Sequence, residues 1–228
     1  MSGILFIISA PSGSGKTTLT NELLRLVPGL EFSVSYTTRP PRGSERHGRE
    51  YFFVSKETFE GMIADDEFLE HACVFGHYYG TAKRFLAEAF SQGKDLVLDI
   101  DVQGAAQVKK KMPEAVSIFI MPPSREILEF RLRNRSHNEH VDDETVRRRL
   151  DGARKEIENY SNYDYILVNE NDRLEQSIEL LKAVVSSERA RRCHSPSVVA
   201  SDVEERARQC LRDNVRDRAE QILRSFEQ

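Results

Sequence analysis

The N-terminal sequence ILFIISAPSGSGKTTL, from residue 4, constrains the fold more than any other stretch of the chain. Its isoleucine-rich apolar run predicts a buried strand, and the leucine pattern after Lys16 predicts a helix. Between them, Gly13 and Gly15 allow the backbone to wrap so that successive N–H groups point at one anion. The dipole of the helix favours negative charge at the same place. This strand, loop and helix are typical of a phosphate-binding P-loop.

The P-loop predicts how a nucleoside triphosphate is bound. Lys16 is expected to reach the β- and γ-phosphates, and the Thr17 hydroxyl is expected to hold Mg²⁺. Ala10 replaces the first glycine of the usual G-x-x-x-x-G-K-[ST] pattern, and an ordinary Gly/Ser turn is the alternative interpretation. The intact Gly-Lys-Thr-Thr favours the P-loop. The residues predicted to bind ATP are Ala10, Pro11, Ser12, Gly13, Ser14, Gly15, Lys16, Thr17 and Thr18.

Composition narrows the partners that this chain can have. Its 228 residues, of which 39% are hydrophobic, suit one compact domain with insertions or an appendage. Lys and Arg number 33 against 37 Asp and Glu, so a broad basic face for nucleic acid is not expected. The three cysteines form no zinc or disulfide pattern, and no apolar run approaches the length of a membrane span. We therefore expect a cytoplasmic protein with neither nucleic-acid nor membrane partners.

Buried strands alternate with helical segments along most of the chain. Strands are predicted at residues 32–35, 96–101, 117–121 and 165–168, which favours an α/β fold with a parallel sheet between two layers of helices. Residues 36–93 interrupt this rhythm with small strands of their own and a predicted turn at residues 77–81, and we interpret them as an inserted subdomain. Residues 202–226 predict one long helix for docking or self-association, with a loosely ordered tail as the alternative.

A second group of side chains suits a second phosphate. Arg39 and Arg42 share a loop that Pro40 and Pro41 stiffen, and Tyr51 and Tyr79 could add hydroxyl donors. Taken singly, such arginines are usually solvated charges and such tyrosines usually pack in a core. As a set, they predict a phosphate site separate from the P-loop.

Seven motifs occur in order along the chain: APSGSGKT from residue 10, SVSYTTRPPR from 33, GREYFFV from 48, FLEH from 68, YYGT from 78, LDIDVQG from 98 and IFIMPPS from 118. Together these motifs resemble the guanylate kinases, a family of P-loop nucleoside-monophosphate kinases. The resemblance covers roughly residues 3–187, and it implies Mg²⁺-dependent transfer of a phosphoryl group from ATP to GMP, and to dGMP as well.

The resemblance also implies a role for individual residues. A carboxylate such as Glu70 matches the adjacent N1–H and N2–H donors of guanine, whereas adenine would leave it facing an acceptor nitrogen. Asp99 is expected near Mg²⁺, with a water between them. The phosphate of GMP would be held by Arg39, Arg42, Tyr51 and Tyr79, and its base by Ser35, Glu70 and Thr81 with Asp101 near the exocyclic amine. The implied catalytic residues are Lys16, Asp99, Arg131, Arg135 and Arg149.

The predicted organisation has four parts. Residues 1–34, 94–126 and 160–190 form the P-loop core, 35–93 the GMP-binding subdomain, 127–159 a helical lid, and 191–228 a linker with a helical C-terminal extension. Two other functions stay open, an inactive protein-binding scaffold and a P-loop kinase for a sugar phosphate. The intact P-loop argues against the first, and Glu70 argues against the second. A homo-oligomer formed through the surface or the C-terminal helix also stays open.

Overall fold

The chain divides into two compact units. A computed structural model describes residues 3–74, 76–135, 142–171, 173–193 and 200–227. The first unit runs up to Ile7 and continues from Pro28 to Val116, and the second comprises Ile8–Val27 and Ser117 onward. The first strand, β1 (Leu5–Ser9), begins in the first unit and ends in the second.

One part of the first unit is a parallel sheet. Its strands lie in the order β2 (Leu30–Phe32), β7 (Asp95–Asp99) and β1, with β2 and β7 paired in parallel. The Ile4 N–H donates to a carboxylate oxygen of Asp95 at 2.7 Å, which fixes the start of β1. Helix α3 (Lys83–Ser91) precedes β7, and α4 (Val102–Lys111) follows it. The side chain of Asp101 caps α4 by accepting the Gly104 N–H.

The rest of the first unit is a small mixed sheet with one helix. The strands β3 (Tyr36–Thr37), β4 (Phe52–Phe53), β5 (Phe68–Val74) and β6 (His77–Ala82) lie in the order β4-β3-β6-β5. Helix α2 (Lys56–Ala64) is capped by Ser55, whose side chain accepts the Thr58 N–H. The core of this region consists of Tyr36, Phe59, Met62, Phe68 and Ala82.

Two predictions in this region are wrong. Residues 77–81 form strand β6, because their aromatic side chains and Gly80 suit a pleated surface packed against Phe59 and Phe68. The strand predicted at residues 32–35 is divided, since β2 ends at Phe32 and β3 begins at Tyr36 in a different sheet.

The second unit also contains parallel strands. Its strand order is β1-β8-β9, and β8 (Val116–Met121) pairs in parallel with β9 (Tyr165–Val168). The helices that accompany these strands are α1 (Lys16–Leu26), α5 (Arg125–Arg135), α6 (Asp143–Ile157) and α7 (Leu174–Arg192). Parallel strands alternating with helices confirm the predicted α/β fold.

The C-terminal extension, which we define as residues 200–227, forms two helices. They are α8 (Ser201–Gln209) and α9 (Arg212–Ser225), so the prediction of one continuous helix is wrong. The break at Cys210 and Leu211 has a physical cause, because this backbone pairs with the edge strand β9. The Ile166 N–H donates to the Cys210 carbonyl at 2.7 Å, and the Arg212 N–H donates to the Asp164 carbonyl at 3.2 Å. Across the described ranges, no helix is long and apolar enough to cross a membrane.

Candidate active site

The P-loop lies in the second unit, between β1 and α1. Gly13 and Gly15 both have φ of 91°, a region that favours glycine. A Cβ on Gly15 would lie 2.4 Å from the side-chain nitrogen of Asn169, and a Cβ on Gly13 would lie 3.0 Å from Leu132. Helix α1 begins at Lys16, and its exposed Thr17 and Thr18 leave the first turn accessible. The backbone conformation of this loop is therefore suited to binding an anion.

Asn169, which the sequence analysis missed, supports the P-loop from the end of β9. Its side-chain nitrogen donates to the Ser14 carbonyl at 2.8 Å, and its side-chain oxygen accepts from the Ser177 hydroxyl at 3.1 Å. Its backbone N–H donates to the Met121 carbonyl at 2.9 Å, and its side chain is buried. The signal available in the sequence was its position, because a polar residue that directly follows a buried parallel strand lies at the edge where ligands bind.

Of the three predicted catalytic arginines, Arg131 forms a hydrogen bond to Asn169. Its Nη2 donates to the backbone carbonyl of Asn169 at 3.0 Å, so one residue connects Arg131 with the P-loop. Arg149 lies half-buried on α6. Arg135 is the last residue of α5, and its side chain lies outside the described part of the chain, as do residues 136–141 of the predicted lid.

The first unit brings together three of the four residues predicted to bind a second phosphate. Arg39 is buried, and its Nε donates to the Tyr79 hydroxyl at 3.2 Å. The Arg39 guanidinium carbon lies 5.4 Å from the centroid of the Tyr51 ring, and the rings of Tyr51 and Tyr79 are 5.8 Å apart. Arg42, the fourth residue, is exposed in the same loop.

Glu45 also belongs to this cluster, although no sequence pattern distinguishes it from the many other charged residues of the loop. Both of its carboxylate oxygens accept from the Arg39 guanidinium at 3.0 Å, and one also accepts the Arg42 N–H at 2.7 Å. Burial raises the pKa of the Glu45 carboxyl, but the hydrogen bonds from Arg39 and Arg42 outweigh it and hold that pKa below its ordinary value. Glu45 is therefore a carboxylate at neutral pH.

The candidate base-recognition group surrounds Glu70 in the same unit. Glu70 lies on β5 with only 3% of its surface exposed, and the antiparallel register places it opposite the buried Thr81 of β6. A Cβ on Gly104 would lie 2.4 Å from a carboxylate oxygen of Glu70, so only glycine permits this approach of α4. Ser35 is also buried, and Asp101 is half-buried at the start of α4.

The environment of Glu70 changes its acidity. The pKa of its carboxyl is raised to about 7, mainly because the group is buried. The Thr81 hydroxyl lowers this pKa, whereas the nearby charge of Asp101 contributes to raising it. A buried carboxyl that titrates near neutral pH is typical of a ligand site. A ligand with two adjacent N–H donors would stabilise its ionised form.

The predicted metal ligands are compatible with magnesium in their chemistry. Thr17 is exposed in the first turn of α1, and Asp99 is half-buried at the carboxyl end of β7. Hydroxyl, carboxylate and water oxygens are the ligands that Mg²⁺ prefers. No group of three or more His, Cys, Asp or Glu side chains in the described ranges could hold a metal ion by itself.

Comparison with known proteins gives the family. The family model for guanylate kinase matches residues 2–188. The chain belongs to the guanylate kinase family. It is 60% identical to the guanylate kinase of Koribacter versatilis, with 99% of this chain and 97% of that protein covered. The guanylate kinase of Methylococcus capsulatus is 48% identical, with 82% of this chain and 89% of that protein covered.

A solved structure agrees with this assignment. The crystal structure of guanylate kinase from Anaplasma phagocytophilum superposes with a TM-score of 0.66 at 34% identity, covering 82% of this chain and 86% of that one. The guanylate kinase match ends at residue 188, so the C-terminal extension follows it. The alignment with the Koribacter kinase includes this extension, since it covers 99% of the chain.

Proposed function

We propose that this chain transfers the γ-phosphoryl group of ATP to GMP, and to dGMP, producing ADP and the nucleoside diphosphate. The observation that carries the proposal is the buried Glu70 carboxylate, held opposite Thr81 and against Gly104. Keeping an ionisable group in this place is unfavourable unless a ligand pairs with it. Membership of the guanylate kinase family supports guanine as that ligand.

The second unit would bind ATP. Backbone N–H groups of the P-loop at residues 10–18 would surround the phosphates, and Lys16 would neutralise charge on the β- and γ-phosphates. Asn169 holds the Ser14 carbonyl, so the loop keeps its form before the nucleotide arrives. Arg131, with Arg135 and Arg149, would stabilise the negative charge of the phosphoryl group during transfer.

The cluster around Arg39 in the first unit would bind the phosphate of GMP. Arg39 and Arg42 supply guanidinium donors, and Tyr51 and Tyr79 supply hydroxyls. The hydrogen bond from Arg39 to the Tyr79 oxygen leaves the Tyr79 O–H directed elsewhere, where it can donate to a phosphate oxygen. These donors would orient the phosphate oxygen that attacks ATP.

Glu70 would select the base. Its carboxylate would accept the N1–H and N2–H of guanine together. Ser35 or Thr81 would donate a hydroxyl to O6, and Asp101 would lie near the exocyclic amine. Adenine would place an acceptor nitrogen against a buried carboxylate, so binding would leave that charge unpaired. A sugar phosphate would leave Glu70 with no partner at all.

Magnesium would complete the ATP site, with the Thr17 hydroxyl as a ligand and Asp99 acting through a bound water. When bound with ATP, the ion neutralises phosphate charge and favours departure of ADP. We place the reaction in the purine nucleotide metabolism of the cytoplasm, where it would return GMP to the diphosphate pool.

The proposal is tested by measuring ADP release from ATP with GMP as acceptor, in the wild-type protein and in two lysine variants. Lys16→Ala should abolish turnover because the P-loop loses its positive charge. Lys182→Ala is the matched control, because Lys182 pairs with the exposed Glu179 on α7 and should retain activity. Turnover that survives in Lys16→Ala would contradict the proposed ATP site.

A further inference from the structure

Helix α9 of the C-terminal extension is a packed part of the second unit. Its start pairs with the edge strand β9, and Ala219, Ile222 and Phe226 along one face are buried. The guanylate kinase match ends at residue 188, so α9 lies beyond it. Two polar side chains of α9 nevertheless contact the segments that carry the proposed ATP site.

The first of these side chains, Ser225, contacts the first turn of α5. Its Oγ accepts the Arg125 N–H at 3.0 Å and donates to the Ile222 carbonyl at 2.6 Å, so the orientation of the hydroxyl is defined. Arg125 is the first residue of α5, where a backbone N–H has no acceptor within the helix. Ser124 caps the same turn by accepting the Ile127 N–H at 3.3 Å. The start of α5 is therefore held by its own loop and by the extension together.

The second side chain, Arg218, connects the loops that follow two neighbouring strands. Its Nη2 donates to the Pro123 carbonyl at 3.3 Å and to a carboxylate oxygen of Glu170 at 3.1 Å. Pro123 follows β8 and Glu170 follows β9, and these two strands pair in parallel. Ligands bind at the carboxyl edge of such a sheet. Arg218 therefore fixes two loops relative to each other at the edge where a nucleotide would bind.

Both contacts lead to Arg131. This residue lies on the same helix as Arg125, and its Nη2 donates to the Asn169 carbonyl at 3.0 Å. Asn169 directly precedes Glu170, and its side chain donates to the Ser14 carbonyl of the P-loop at 2.8 Å. Helix α9 thus holds the start of the helix that carries Arg131, and it also holds the loop to which the guanidinium is bound.

We propose that Arg218 and Ser225 are positioning residues for phosphoryl transfer, a role that rests on the function proposed for Arg131. They keep α5 and the loop of Asn169 in one relative position, so that the Arg131 guanidinium and the P-loop meet the same phosphates. Neither side chain needs to contact a nucleotide. A shift of α5 would move a guanidinium that acts on the transition state, and small displacements of such a group slow a reaction strongly.

The alternative is that α9 only stabilises the fold by covering apolar side chains. The buried face with Ala219, Ile222 and Phe226 performs that task. The side chains of Arg218 and Glu170 are 44% and 40% exposed, so their ion pair contributes little to stability. Truncating the polar side chains of α9 should therefore change the position of α5 more than the free energy of unfolding.

Steady-state kinetics of the full-length chain with ATP and GMP separate these roles. Arg218→Ala should lower kcat about fivefold and Ser225→Ala about threefold, with each KM changed less than about twofold, because positioning acts on the transition state. Ser225→Thr keeps the hydroxyl and should retain the wild-type kcat. Arg216→Ala is the matched control, since Arg216 lies on the same helix but pairs with Glu220. Urea unfolding should give all four variants nearly wild-type stability.

A second arm tests whether Arg218 acts through Arg131. In an Arg131→Ala background, Arg218→Ala should cause little further loss of kcat. Wild-type kcat in both Arg218→Ala and Ser225→Ala would overturn the proposal, and so would an undiminished effect of Arg218→Ala in the Arg131→Ala background. A loss of kcat that Ser225→Thr shares, or that accompanies a large loss of stability, would also overturn it in favour of a purely structural role. Absence of GMP phosphorylation by the wild-type protein would instead overturn the proposed function.

Discussion

Because the Glu70 carboxylate is buried, we expect that the base-binding site lowers the stability of the protein without nucleotide. Its pKa is raised from 4.5 to about 7 by burial, so its ionised form is disfavoured in the folded chain. A carboxyl whose pKa is raised on folding stabilises the fold at low pH, and that contribution is lost as the pH rises through the folded pKa. Replacing Glu70 by Gln removes the charge and nearly conserves the shape.

The size of this loss of stability follows from the raised pKa of Glu70. A shift of about 2.5 pH units corresponds to about 3 kcal/mol in the free energy of unfolding, fully expressed well above pH 7. Glu70→Gln should therefore be more stable than the wild-type protein by up to about 3 kcal/mol at about pH 8.5. The advantage should disappear near about pH 4.5, where the carboxyl is protonated in both the folded and unfolded states.

Urea unfolding without nucleotides, at both pH values, measures this difference directly. Glu88→Gln is the control, because Glu88 is exposed on α3 and its substitution should leave the free energy of unfolding nearly unchanged at either pH. The reasoning fails if Glu70→Gln is no more stable than wild type at the higher pH. The variant should also bind GMP more weakly than wild type, which connects the stability cost to function.

Three further predictions concern the two nucleotide sites. Guanosine should bind about tenfold more weakly at about pH 6 than at about pH 8, because the ionised fraction of Glu70 falls from about nine-tenths to about one-tenth; calorimetry of Glu70→Gln should show no such dependence. Gly104→Ala would place a Cβ 2.4 Å from the Glu70 carboxylate, so steady-state kinetics should show a KM for GMP raised about tenfold or more and an unchanged KM for ATP. Asn169→Ala removes the hydrogen bond to the Ser14 carbonyl and should weaken ATP binding about fivefold without changing GMP binding. Fluorescence titration with a nucleotide analogue can measure both affinities.

Features that depend on a short stretch of sequence could be predicted. The P-loop needs only a buried strand, glycines at positive φ and a helix start, and all three are local. The α/β fold follows from alternating strands and helices. The proximity of Arg39 and Tyr79 was predicted from a set of residue types rather than from spacing, and the structure does bring them together. Their functional roles stay predictions.

Apart from the proximity of Arg39 and Tyr79, features that depend on distant partners could not be predicted. Asn169 acts on a carbonyl that is 155 residues away, so no local pattern marks it. The break in the C-terminal extension arises because Cys210 and Leu211 pair with β9, and this competes with an amphipathic pattern that favours a helix. Strand β6 looked like a turn because Gly80 follows two tyrosines, and only its packing against Phe68 shows why glycine is needed there.

The choice of acceptor tests whether this protein phosphorylates GMP. ADP release from ATP and Mg²⁺ should be measured with GMP, AMP, UMP, dTMP and ribose 1,5-bisphosphate offered separately. We expect strong release with GMP and little with the others, because only guanine presents two adjacent donors to Glu70. Equal release with AMP, or silence with every acceptor despite measurable ATP binding, would contradict it.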